Sequence, residues 1–270
     1  MEALITSFNR FFDIVPVVTD AQLHQALWLR YQVYCLETGF ESVDEHPGGI
    51  EQDEFDKRAA HSLLIHRQSG LVAGTVRLVL PNASNLEDLF PMEKHCGQHF
   101  KRPILGPHRA ELGEISRFCI SREFKRRAAE SGTLWGDGWD ESMASEKLSQ
   151  RRIIPHISLG LIAATIRMST EHGVRYWYAL MEPSLIRLLQ RFGINFDPIG
   201  PILDHHGERQ PCFSLRDQVV GSIRAKSYPL WELCTARGTQ WPTTAKVSRK
   251  RQAKSTKVRG KGNKAAGTQR

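Results

Sequence analysis

Arg77 sits inside Gly74-Thr75-Val76-Arg77-Leu78-Val79-Leu80, a run otherwise composed as a core β-strand. A buried guanidinium costs several kcal/mol unless carboxylates pair with it, so the chain must fold in a way that delivers acids to this strand. Arg30 makes the same demand, because it falls on one stripe with Leu23, Leu27 and Tyr34 in a helix expected over 20–37. The acids on offer alternate through Glu51-Gln52-Asp53-Glu54-Phe55-Asp56. Glu51, Asp53 and Asp56 therefore read as partners in a fixed ion-pair network. A solvated acidic loop beside two snorkelling arginines fits the same residues. A calcium loop fits less well, since the EF-hand spacing and its glycine are missing.

A second carboxylate stands out in Glu111-Leu112-Gly113-Glu114-Ile115-Ser116-Arg117-Phe118-Cys119-Ile120. Period-two alternation puts Glu114 on one face with Leu112, Ser116, Phe118 and Ile120. An acid on such a face is either a paired structural group or a base whose pKa desolvation has raised into a useful range.

The periodicity around these residues predicts strands over 14–18, 62–66, 71–80, 111–121 and 174–180, with weaker ones near 199–203 and 212–215. Thr19 and Gln22 have capping-box spacing at the start of the first helix. Further helices are expected near 86–94, over 154–172 and 184–192, and near 228–236. This order is α/β, with a mixed sheet.

Arg30-x-x-x-Tyr34, Glu51-x-Asp53-x-Phe55-Asp56, Arg77-Leu78 and Glu114-x-Ser116-Arg117-Phe118 follow one another in this chain. The series resembles the acyl-homoserine-lactone synthase superfamily over roughly residues 14–215. It looks closer still to that superfamily's long-chain N-acyl amino acid synthases and PEP-CTERM/exosortase-associated acyltransferases. The resemblance implies a GNAT-like fold, a mixed twisted central sheet flanked by helices, with an acyl-phosphopantetheine arm in a V-shaped opening between two central strands. It implies transfer of a long-chain acyl group from an acyl carrier protein, or from coenzyme A, to the α-amine of an amino acid. By position, Glu114 matches the family's candidate general base. Ser116 and Arg117 lie beside it in the catalytic motif, and Arg30, Tyr34, Glu51, Asp53, Asp56 and Arg77 match the substrate-side charged network. Phe40 stands where a tryptophan is usual, and no lactone-forming site is legible, which points away from a homoserine lactone product. The thioester is already activated, so no covalent enzyme intermediate, bound metal or permanent cofactor is expected, and strand Cys119 reads as packing. The oxyanion of the tetrahedral intermediate calls for backbone N–H groups on a strand bulge.

The net charge of +8 is concentrated in residues 246–270, which carry ten Lys or Arg and no acid. The other 27 basic residues face 29 acidic ones, so 1–242, expected as the acyltransferase domain, is nearly neutral. Residues 243–270 read as a basic, disordered tail that could meet an anionic membrane surface. Nonspecific nucleic-acid binding fits that charge but lacks interleaved aromatics. An acidic carrier protein would meet exposed basic groups, for which Arg122, Lys125, Arg126 and Arg127, then Arg151 and Arg152, are the candidates. Five widely spaced cysteines without a Cys-x-x-Cys pair, and no signal-like N-terminus, lead to an expected cytoplasmic location. Tyr176, Trp177 and Tyr178 read as core or as an acyl-channel wall. His95-Cys96-x-x-His99 is half of a zinc site without a second pair, and His205-His206 reads as an exposed turn. The rival enzyme readings are a coenzyme A-dependent GNAT acetyltransferase and an acyl-homoserine-lactone synthase.

Overall fold

A computed structural model describes residues 2–97, 99–101, 103, 105–126 and 153–241. The basic tail, Arg127, Arg151, Arg152 and the side chain of Arg126 lie outside the described residues.

The chain opens with helix α1 (Glu2–Phe11), which runs directly into strand β1 (Phe12–Pro16). Helix α2 (Asp20–Tyr31) starts at a capping box, with the Gln22 N–H donating to Thr19 Oγ1 and the Thr19 N–H to Gln22 Oε1. It ends in a π-helical stretch, Gln32–Glu37. A hairpin follows, β2 (Ala59–His66) and β3 (Val72–Val79), then the short helix α3 (Pro91–Cys96) and strand β4 (Leu112–Ile120). Helix α4 (Arg122–Arg126) closes this half. Helix α5 (Ile153–Glu171), β5 (Tyr176–Met181) and α6 (Pro183–Gln190) lead to the short strands β6 (Asp197–Pro198) and β7 (Leu203–Asp204). Strand β8 (Glu208–Leu215), α7 (Arg216–Lys226) and α8 (Tyr228–Thr235) complete the described fold.

Among the described residues the strands lie in the order β1-β2-β3-β4-β5-β8-β6, with β7 also on β8. Every pairing is antiparallel except β4 with β5. That parallel ladder is short. It joins Leu112–Ile115 to Tyr176–Ala179 and goes no further, although both strands continue. The register against β3 explains the divergence. Thr75 pairs with Cys119 and Arg77 with Ser116, so one residue of β3 faces two of β4. The bulge falls on Arg117, whose φ of 48° is left-handed. A bulge bends its strand and raises the local twist, here turning the outer half of β4 away from β5.

Helix α5 packs across β1–β3 and carries much of the core, including Ile157, Leu161, Ile162 and Ile166. Its close approach needs Gly74. A Cβ there would lie 2.9 Å from the Cys119 carbonyl oxygen and 3.2–3.3 Å from Leu161 and Ile157. Gly74→Ala should therefore force the helix off the sheet and cost about 1–3 kcal/mol, read as a lower denaturant midpoint. No described helix is long and apolar enough to cross a membrane. Trp177 and Tyr178 are core: Trp177 donates to Ser169 Oγ and stacks on Phe196, and Tyr178 meets Phe90 and Phe100 edge-on, while half-buried Tyr176 stacks on Phe213.

Candidate active site

The opening between β4 and β5 holds a cavity. One wall is polar, with Glu114, Ser116 and Arg117 from β4, Arg77 from β3 and Asp53 from the preceding loop. The rest of the lining includes an apolar wall, with Ile162, Ala179, Met181, Leu185, Leu189 and Phe196. Across the bulge all of residues 114–118 line the cavity, so Ile115 and Phe118 add to its apolar lining.

The arginines implied by the strand pattern meet the acids from the loop. Buried Arg30 donates through Nε to Glu51 (2.5 Å) and through both terminal nitrogens to Asp56 (2.7 and 3.1 Å). Arg77 donates to Asp53 (2.6 Å), Asp56 (3.0 Å) and, through Nε, to Ser116 Oγ (3.0 Å). Arg117 donates to Glu51 and to Glu41 (2.9 Å each), and its guanidinium lies 5.3 Å from the centre of the Tyr34 ring. The loop is held in shape locally, since Asp53 and Asp56 cap one 3-10 turn reciprocally. Burial alone would push Glu51 up, but Arg30 and Arg117 prevail and hold it at about 2. Asp56 is driven below the usual carboxylate range by Arg30 and Arg77 against the same burial penalty. The network is thus permanently charged, and Ser116 serves Arg77 rather than standing free.

Glu114 differs from these acids. It is buried, and its described hydrogen bond is accepted from the Met92 N–H at 2.8 Å. Burial pushes its carboxyl up to about 8, against the Met92 hydrogen bond and the field of Arg77. Glu93, nearby on α3, raises it further while being tied to Arg109 at 2.9 and 2.7 Å. Cys119 is buried and its thiol is pushed up to about 12 by desolvation, so it is not a thiolate nucleophile.

The fold resembles known acyltransferases. Residues 29–135 match the family described as Acetyltransferase (GNAT) domain. The chain has a GNAT-type fold. An acyl-homoserine-lactone synthase of Vibrio anguillarum is 23% identical over 198 residues, 73% of this chain and 84% of that protein. A CoA-dependent acyl-homoserine lactone synthase, BjaI, solved with MTA, superposes with a TM-score of 0.54 at 16% identity, covering 81% of this chain and 89% of BjaI. TofI, in a ternary complex with an inhibitor and MTA, gives 0.53 at 17% identity, covering 78% and 96%. The parallel β4–β5 pair and its early end place the cavity of this GNAT-type fold in the strand opening.

Some expectations do not survive. Lys125 is not an exposed docking group: it is 2% exposed, with Nζ 3.2 Å from Glu37. Arg122 is exposed. Sequence reasoning also missed residues at the mouth. Glu41, His95, His205, His206 and Arg209 all line the cavity, although their positions are scattered from 41 to 209.

Proposed function

We propose that this chain transfers a fatty acyl group from a phosphopantetheine thioester to the α-amine of an amino acid, with Glu114 as proton acceptor. The observation that carries the reading is one cavity in the strand opening that joins a desolvated carboxyl to an apolar chamber. Apolar walls suit an acyl chain, because burying it removes hydrocarbon from water. The name of the Vibrio relative, and the CoA-dependent synthase among the fold neighbours, support a thioester donor and an amine acceptor. A carrier-protein thioester is our preferred donor, with coenzyme A as the alternative source of the same arm.

An ammonium has no lone pair, so the acceptor must lose a proton before it attacks. In this reading Glu114 takes it, directly or through one water. The nitrogen then bonds to the thioester carbonyl carbon, and collapse of the tetrahedral intermediate breaks the C–S bond and releases the thiol. The ladder between β4 and β5 stops at Ile115–Ala179. Backbone N–H groups on that edge beyond the stop are therefore uncommitted to it and can meet the oxyanion. Arg77, Asp53 and Arg117, locked by mutual ion pairs, keep the polar wall rigid while the intermediate forms.

Expression in a bacterium, followed by mass spectrometry of organic extracts, tests the reading. Long-chain N-acyl amino acids should accumulate with the intact protein and not with Glu114→Ala. Extracts holding an acyl-homoserine lactone, or only acetylated amines, would replace the amino-acid reading with that of a lactone synthase or an acetyltransferase.

A further inference from the structure

Two chain segments bring three imidazoles together at the cavity mouth. His95 comes from α3, and His205 and His206 from the turn between β7 and β8. Ring centroids are 4.6 Å apart for His95–His205 and 4.5 Å for His205–His206. His206 has a left-handed φ of 55° and Gly207 one of 89°, so the turn holds both rings toward the mouth at some conformational cost. Phe40 supports the group from the loop after the π-helical stretch, stacked on His206 (5.1 Å) and under the Arg209 guanidinium (5.8 Å).

Among the described residues, no hydrogen bond from the protein engages the ring nitrogens of these three histidines. No three His, Cys, Asp or Glu side chains there are arranged to hold a metal ion. Burial, His95, His206 and the nearby Arg209 and Arg117 push His205 down to about 4. His95 is also lowered, by burial and by Arg117 and Lys94, against Glu41. An imidazole offers at least one N–H donor in either charge state, so each ring can meet an anion. Arg209 adds a fixed positive charge, half-shared with Glu182 at 3.3 Å.

We propose that His95, His205, His206 and Arg209 form an oxyanion-binding subsite at the mouth, which takes the carboxylate of the acceptor. This rests on the acyl-transfer reading above. Glu41 and Asp53 line the same mouth. They oppose a phosphate, which brings no cation of its own, more than a carboxylate whose own ammonium can lie beside them. The donor's phosphopantetheine phosphate is the other source of the same chemistry.

Calorimetry on the full chain with N-octanoylglycine, N-octanoylglycinamide and 4′-phosphopantetheine separates these cases. The acid should bind about tenfold more tightly than the amide, the value of one charge-assisted hydrogen bond. His205→Gln/His206→Gln should erase that difference, with unchanged thermal unfolding, and His95→Gln should reduce it. Phosphopantetheine binding that the double variant weakens would assign the subsite to the donor instead. An acid–amide difference that survives the double variant would overturn the subsite. Equal binding of acid and amide, with phosphopantetheine indifferent to the variant, would overturn it too and leave acyl transfer standing. If neither acylated ligand binds while acetate shifts the ring resonances of His205 and His206, the subsite stands and the acyl-transfer reading falls.

Discussion

Glu114→Gln should lower kcat by about 10²–10⁴-fold, the usual contribution of a positioned proton acceptor, with little change in KM. The amide keeps the side-chain shape and can still accept from the Met92 N–H, so binding should persist. With its pKa raised to about 8, the carboxyl is only about a tenth ionised at pH 7. Wild-type kcat/KM should therefore climb as pH rises through about 8 and then level off. The variant should lose that limb. A variant that turned over slowly but kept the same limb would show that Glu114 shapes the site without moving the proton. Stability gives an independent check. The folded pKa lies above the unfolded one, so the native state holds the proton more tightly. Wild-type stability should fall as pH rises from about 4.5 to 8. Glu114→Gln should not show this fall, and unfolding midpoints at pH 5 and pH 9 measure the difference.

Asp56→Asn should cost about 3–5 kcal/mol, because it removes one partner from two buried arginines. Both terminal nitrogens of Arg30 and one of Arg77 would lose a charged acceptor. The sign with pH is opposite to that of Glu114. Asp56 and Glu51 have folded pKa values below their unfolded ones, so their contribution is fully present above about pH 5 and is lost as pH falls toward 2. Denaturant titrations from pH 7 down to pH 3 should show steep acid destabilisation in the wild type and a shallower slope in the variant. Equal stability of the two proteins at pH 7 would mean that water can replace the carboxylate, and that the network is not the support of the polar wall.

The network could be read from the sequence because a charge inside a core strand forces its own solution. Arg30 and Arg77 needed acids, and Glu51, Asp53 and Asp56 were the acids within reach. The hairpin, β4, α5 and β5 were legible for a related reason, as each carries a strong apolar period. Helix α7 was not, since Val219, Val220 and Ile223 are a thin apolar stripe interrupted by Gly221 and Ser222. Helix α1 went unread although Leu4, Ile5, Phe8 and Phe11 stand at helical spacing before β1. The bulge at Arg117 escaped notice because alternation assumes an unbroken strand, whereas here five successive residues, 114–118, line the cavity. Lys125 was misplaced because four basic residues within six positions look like surface, whereas Glu37 from another element draws it inside. The mouth histidines were seen only as separate fragments, because nothing local links position 95 to position 205.

The two walls of the cavity come from different stretches of chain, and this separates two kinds of selectivity. The ion-paired wall is built from residues before 118, and most of the apolar wall from residues after 161. A change at Leu189 or Phe196 can lengthen or shorten the chamber without touching a single charge pair. On the acyl-transfer reading proposed above, chain-length preference is thus free to drift while the proposed proton acceptor stays fixed, so proteins sharing this scaffold diverge in the lipid they use and still share one reaction.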